Sequence, residues 1–297
     1  MSVTARRWLK GGFVPFEVPR VWRELLETRL VGTGLAITTV VFLCAFAAPV
    51  LAPYDPNEQD YAAFADPPSA NHLLGTDDLG RDVLSRIIFG SRVSLEVGLI
   101  AVAIATSVGV SLGLVAGYAG GMTDDLIMRV VDAVQAFPNL ILALAITAAL
   151  GPNIGNAMLA IGVVGTPGIA RLTRGQALSV RERDFIAAAR ICGATPLEIM
   201  RRHIWPNVTA PIVVQATLLM GTAIVTEAAL SFLGVGVRPP TPSWGAMLRT
   251  GSQYLEVAPW IGLTSGAAIF VTVLAFNFVG DGLRRALDPR LAARKRQ

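Results

Sequence analysis

Six stretches of this chain are apolar for about the length of a bilayer crossing, which commits it to a membrane. They are Leu30–Ala52, Leu95–Tyr118, Leu126–Leu150, Ala157–Thr173, Pro211–Phe232 and Trp260–Gly280. Roughly 20 residues carry a helix across the hydrocarbon core. The fourth block is the shortest, and Gly165, Pro167 and Gly168 should bend or break it. Composition agrees. Of 297 residues 53% are hydrophobic and only 15% charged, where a soluble domain carries about a quarter. The expected fold class is an all-α membrane protein with six transmembrane helices.

Charge placement orients the spans. The N-terminal tail carries six basic residues, residues 171–207 carry seven, and the C-terminal tail carries six. An even number of spans puts these three segments on one side, and the positive-inside rule makes that side cytoplasmic. The other side receives five basic residues and, in 53–94, seven acids. The expected organisation is a cytoplasmic segment 1–29, a first span 30–52, and an extracytoplasmic loop with an interfacial helix in 53–94. A five-helix core follows over 95–281, including a cytoplasmic loop 174–210, and then a basic cytoplasmic tail 282–297. Met1–Arg29, polar and basic ahead of an anchoring block, does not read as a cleavable signal.

Within the cytoplasmic loop, Asp184–Asn207 has an unusually definite local code. Phe185–Ile191 reads as a helix that Gly193 can end. Thr195, Pro196 and Glu198 then spell a capping box with proline at the first helical position. Pro206 is expected to push Trp205 out of helix and stop the turn. Leu197, Met200 and Ile204 share an apolar face, with Glu198, Arg201 and Arg202 mostly turned elsewhere. Such an element suits docking onto a partner; a surface helix packed on its own bundle gives the same pattern.

Elsewhere, Gly109, Gly113 and Gly117 recur every four residues and allow a close helix approach. The acids of Gly75–Asp82 either grip a cation or amine, or solvate the loop and cap a helix starting near Asp78. Val83, Ile87 and Ile88 would make that helix amphipathic at the outer interface. Among ionisable groups in the spans, Arg129 can pair with Asp132, and Glu227 is the one deep carboxylate. Intramembrane charge marks a functional candidate. Glu227, its neighbour one turn on, Ser231, and the bend at Pro167 and Gly168 are therefore the candidates for a translocation path or hinge; a packing kink is the other reading of the bend.

Enzyme chemistry is not expected. Neither lysine, Lys10 or Lys295, follows a phosphate-cradling glycine loop, and His72 and His203 belong to no zinc pattern. The two cysteines, Cys44 and Cys192, have no metal-ligand spacing. If nucleotide powers this protein, the ATPase is another polypeptide, and the cytoplasmic loop is where it would dock.

The loop Ala187-Ala188-Ala189-Arg190-Ile191-Cys192-Gly193, followed by Ile204-Trp205-Pro206, resembles the E-A-A-x-x-x-G…L-P signature of bacterial ABC importer permeases, with Ala187 and Trp205 as departures. His72–Leu95, Gly117–Pro138, Glu227–Leu248 and Phe276–Arg290 are similar to the dipeptide/oligopeptide/nickel branch, and specifically to its second permease subunit. The resemblance implies a type I importer permease fold. It implies a homologous second permease, two ATP-binding subunits that hold ATP and magnesium, and an extracytoplasmic solute-binding protein. No cofactor or metal on this chain and no nucleic-acid partner are expected, and the site is the bacterial plasma membrane. The coupling role falls on Ala188, Gly193, Thr195, Pro196, Leu197, Glu198, Met200, Arg201, Arg202 and His203. Di- or oligopeptides are the expected cargo, with nickel, glutathione or another small solute as alternatives. An ion-coupled secondary transporter centred on Glu227, or a membrane scaffold, would be readings from other classes.

Overall fold

A computed structural model describes residues 29–287, and every element but one isolated β-bridge is helical or irregular. The expectations for residues 1–28 and 288–297 lie outside the described residues. Helix α1 spans Arg29–Phe46, α2 Val83–Ala119, α3 Gly121–Gln135, α4 Asn139–Leu150 and α5 Ile154–Arg181. The short α6 covers Asp184–Ile191 and α7 Pro196–Glu198. A π-helical segment, Ile199–Ile204, joins α7 to α8, Trp205–Phe232. Helices α9, Trp244–Gln253, and α10, Pro259–Leu287, are the last among the described residues.

Among the described residues four helical runs are long and apolar enough to cross a membrane: α1, α2, α7 through α8, and α10. The third apolar block, Leu126–Leu150, is not one continuous helix. It is two helices, α3 and α4, bent by 89° at Ala136–Pro138, because Pro138 has no N–H to continue the ladder and disfavours helix at Phe137. As one broken span this pair makes a fifth candidate. Helix α5 is about 42 Å long at 1.5 Å per residue, but Asn156, its glycines and its arginines leave it short of the apolar content of the others.

Three further expectations are corrected. Pro167 does not break its helix; α5 runs through it, buried, with Thr166 Oγ1 returning a hydrogen bond to the Gly162 carbonyl at 2.8 Å. The helix after the acid-rich loop starts at Val83 rather than near Asp78, and it continues without interruption into the second span instead of forming a separate interfacial element. Asp132 pairs with Arg171 of α5 at 2.5 Å rather than with Arg129.

The expected glycine stripe is the seam of the bundle. Helices α2 and α5 run parallel and make the most extensive helix pair. A Cβ at Gly109 would lie 2.8 Å from Ile169 Cβ, and one at Gly117 2.7 Å from Ala177 Cβ. At Gly113 it would lie 2.5 Å from the Ala170 carbonyl oxygen. In lipid, helix association rests on such close packing, since leaving the bilayer for a partner helix removes no apolar surface from water.

The loop between α1 and α2 is folded by its own charges. Asp77 accepts from Arg81 Nε at 2.7 Å and from the amides of Leu79 and Arg81, and lies 3.4 Å from Arg86 Nε. Asp82 caps α2 through the Ser85 amide at 2.7 Å and meets His72 Nδ1 at 3.0 Å. Asp77, Arg81, Asp82 and Arg86 are all buried. Of the two readings of these acids, capping and internal pairing describes Asp77 and Asp82. Trp260 Nε1 to the Thr76 carbonyl and Trp244 Nε1 to the Ile87 carbonyl, both 3.0 Å, staple this loop and α2 to the far half of the chain.

Two outcomes follow. Gly113→Leu should overpack the α2–α5 seam at a cost of about 1–3 kcal/mol, seen as a lower melting temperature in detergent. Gly32→Leu, where nothing lies within 4 Å, should leave it unchanged; equal melting of the two variants would contradict the seam. Asp77→Asn keeps an acceptor for the Leu79 and Arg81 amides but removes the buried charge that Arg81 and Arg86 share, leaving Arg81 only Asp78 at 3.4 Å and Arg86 only the Pro56 carbonyl, a loss of about 3–5 kcal/mol for a broken buried pair. Limited proteolysis should then cut within 53–82, and an unchanged digestion pattern would show that the network is dispensable.

Candidate functional site

The segment Asp184–Asn207 forms a platform at the basic end of the bundle. Its code is executed as expected up to Glu198. Helix α6 ends at Ile191, and Gly193 takes φ +85°, a left-handed conformation that glycine adopts without strain. Thr195 Oγ1 accepts from the Glu198 amide at 3.3 Å, while Glu198 Oε2 accepts from the Thr195 amide at 3.0 Å. Both halves of the capping box are therefore closed, with Pro196 at the first position.

Beyond Glu198 the structure departs from the expected stop. Trp205 is helical, with φ −49° and ψ −51°, and its amide bonds five residues back to Met200. Pro206 sits in the first turn of α8, where a missing N–H is tolerated. The wider π turn opens the space that the proline ring would otherwise contest with the Arg202 carbonyl. The capped turn is thus continuous with a long transmembrane helix, and together Pro196–Phe232 forms one apolar run.

The same π turn changes which side chains face inward. An i→i+5 turn brings Ile199 and Ile204 onto one face, and both are fully buried with Ile186, Val208 and Ile212. The expected Leu197–Met200–Ile204 stripe is split: Ile204 is buried, Met200 half-buried, and Leu197 59% exposed. Ile199 was not legible because the apolar period was read at 3.6 residues. The platform's outer surface is formed by Ala187, Ala188, Ile191, Cys192, Pro196 and Leu197, with Arg201 and Arg202 exposed beside it. Ile191 is 87% exposed. Glu198 and Arg202 stand 3.7 Å apart, and His203 lies half-buried with its ring centroid 6.4 Å from that of Phe185.

The platform is held from below by Tyr118 and Arg181, which lie outside its own motif. Arg190 stacks over Tyr118, 5.6 Å from its centroid, and Arg181 Nη1 donates to the Gly117 and Tyr118 carbonyls at 3.2 Å. The first ties α6, and the second the end of α5, to the end of α2, the helix of the glycine seam. Only the cation-plus-aromatic composition hinted at Tyr118 in the sequence; its partner is remote along the chain.

The other candidates fall into two places. Glu227 is fully buried, accepting from Ser231 Oγ at 2.8 Å and from Ser94 Oγ of α2 at 3.4 Å. Ser231 Oγ in turn accepts from the Val237 amide at 3.1 Å. This cluster fastens α8 to α2 and to the following turn, and no surface of it is open. Pro167 and Gly168 lie elsewhere. The Cβ position of nearby Gly165 faces Leu219, and Glu227 is about 12 Å further along α8 at 1.5 Å per residue. Pro167 is buried and Gly168 exposed with nothing within 4 Å of its Cβ position. Among the described residues no group of three or more His, Cys, Asp or Glu is placed to hold a metal ion.

Comparison with known proteins places this geometry. Residues 109–293 match the model of the binding-protein-dependent transport system inner membrane component, and residues 19–68 match the N-terminal TM domain of oligopeptide transport permease C. The chain is 44% identical over 283 residues to the di/tripeptide transport system permease protein DppC of Pseudomonas aeruginosa, covering 93% of each. It is 47% identical to the dipeptide transport system permease protein DppC of Alkalihalophilus pseudofirmus, covering 91% of this chain and 90% of that one. The glutathione transport system permease protein GsiD of Escherichia coli is 43% identical, with 91% and 89% covered. An inward-facing structure of the MetNI methionine ABC transporter shares the fold, with a TM-score of 0.57 and 20% identity over 69% of this chain and 97% of that chain. A multi-pass membrane chain with this architecture and these relatives belongs to the family of binding-protein-dependent transport system inner membrane components.

Proposed function

We propose that the chain is the second-type permease subunit of an ATP-driven importer of di- and oligopeptides. The observation that carries this reading is the platform: an apolar, solvent-facing edge at Ile191, Cys192 and Leu197 on a capped turn continuous with a membrane helix. A chain with no phosphate loop of its own needs such a surface to receive work from a separate ATPase. The cargo assignment is supported by the names of the relatives, two for di- or tripeptides and one for glutathione, itself a peptide.

On this reading the bundle spans the plasma membrane six times, the broken α3–α4 pair and α5 supplying the third and fourth crossings. Both termini and the platform lie in the cytoplasm. A homologous permease completes the path, two ATP-binding subunits carry ATP and magnesium, and an extracytoplasmic binding protein delivers the peptide. Leu197 and its exposed neighbours form the greasy contact, Arg201 and Arg202 pair with acids at its rim, and Gly193 sets the angle between α6 and α7. Closure of the ATPase pair would push α7, and α8 would carry that displacement into the membrane as a rigid lever.

Reconstitution with the partner subunits tests the reading. Leu197 is exposed, so Leu197→Asp should leave folding intact yet lower peptide-stimulated ATP hydrolysis at least about tenfold, the effect of ~1.4 kcal/mol of lost docking energy. Gly193→Pro should do the same, since proline cannot take a positive φ and removes the amide that bonds to Arg190. Normal pumping by both variants would refute the docking role. Uptake by the chain alone under a proton gradient would replace the importer reading with an ion-coupled one.

A further inference from the structure

Among the described residues Glu227 is the one ionisable side chain at 0% exposure, so a companion subunit cannot pair with it without displacing the chain around it. Its place is the interface between α2 and α8. Ser94 and Gly98, one turn apart on α2, face Glu227, Ile224 and Met220 along α8. Ser94 Oγ lies 3.4 Å from Glu227 Oε2, and a Cβ at Gly98 would lie 2.9 Å from Met220 Cε. The surroundings are apolar, with Val93, Val97 and Leu230 buried in one cluster and Ile224 and Trp244 in the next.

Such a site does not hold an anion. A carboxylate taken out of water needs a cation or a full set of donors, and without them it takes up a proton. Glu227 has two hydroxyl neighbours, and among the described residues no backbone amide donates to it and no cation pairs with it. The nearest charged groups along the chain are turned elsewhere. Arg92 of α2 donates to the Ala45 and Phe46 carbonyls, and Glu96 of α2, Arg238 of the following turn and Arg249 of α9 are exposed.

The neutral acid fits the same geometry with its groups satisfied. Oε1 accepts from Ser231 Oγ at 2.8 Å, and Ser231 Oγ accepts from the Val237 amide at 3.1 Å. The acid proton on Oε2 then goes to Ser94 Oγ, a hydroxyl that can accept as well as donate. Helix α9 hangs on this bridge. Trp244 donates to the Ile87 carbonyl of α2 and stands against Gly90, one turn before Ser94, while Gly245 packs on the Ala228 carbonyl beside Glu227. Helix α9 thus straddles α2 and α8 where the carboxyl joins them.

We propose that Glu227 is a neutral positioning residue for energy coupling: as a carboxylic acid it bridges Ser94 and Ser231, so that α2, α8 and α9 move as one body when the platform is pushed. The inference rests on the reading of the chain as a transport permease. It opposes the ion-coupled reading, which requires that carboxyl to exchange its proton.

Infrared difference spectroscopy of the assembled complex in lipid at neutral pH tests it. Wild type minus Glu227→Gln should show the C=O stretch of a protonated carboxylic acid. In Ser94→Ala that band should move to higher frequency, because the acid loses its acceptor, and this comparison does not depend on the glutamine variant. Absence of the band, or a band that Ser94→Ala leaves in place, would overturn the bridge. Glutamine offers an acceptor and a donor in the same places, so Glu227→Gln should keep peptide-stimulated ATP hydrolysis near the wild-type rate. Glu227→Ala should lower it at least about fivefold, the effect of a small loss of interaction energy. Equal hydrolysis by the two variants, high or low, would overturn the positioning role. A wild-type complex with the acid band but no peptide-stimulated hydrolysis would sink the transport reading and keep the neutral bridge.

Discussion

Close backbone contact between α2 and α5 is the constraint on which the rest of the structure depends. In a bilayer there is no hydrophobic gain in bringing two apolar helices together, so packing quality decides whether they stay together. Gly109, Gly113 and Gly117 let the α5 backbone approach α2 where any Cβ would collide with Ile169, Ala170 or Ala177. The end of that seam is also the floor of the platform: Gly117 and Tyr118 give their carbonyls to Arg181, and Tyr118 gives its ring to Arg190. A shift of α2 against α5 would thus be felt directly beneath α6.

The second joint is the π turn between Glu198 and Trp205. Where proline would ordinarily end a helix, the wider turn lets α7 run on into α8. Buried Ile199 and Ile204 pin this joint to Ile186 of α6 and to Val208 and Ile212 of α8. The other end of α8 is pinned by Glu227, through Ser94 to α2 and through Ser231 to the turn at Val237. A rod fixed at one end to α6 and at the other to α2 moves with them rather than flexing between them. That property is what a transmission element requires.

What the sequence made legible was local. The capping box of Thr195 and Glu198 and the left-handed Gly193 need only neighbours along the chain, and both stand as read. The glycine seam was visible because a period of four survives in any straight helix. Three features hid for physical reasons. Pro138 interrupts a stretch whose apolar content runs straight past it, so hydropathy alone drew one span where two helices stand. The π turn shifts the inward face by one residue, so Ile199 takes the inward place read for Met200. Asp132 had a cation nearby on its own helix in Arg129, whereas its observed partner, Arg171, arrives only through tertiary packing. The family resemblance suggested the role proposed for the loop, and the structure supplied its mechanical continuity with α8.

The central claim is that the exposed edge around Leu197 is the seat of an ATPase, transmitting its motion through α8. A photoreactive phenylalanine analogue at position 197, irradiated in native membranes containing the whole transporter, tests this most directly. The account predicts one principal adduct, with an ATP-binding subunit, whose yield changes when the nucleotide state is altered. An adduct confined to lipid or to the companion permease, or one indifferent to nucleotide, would contradict it.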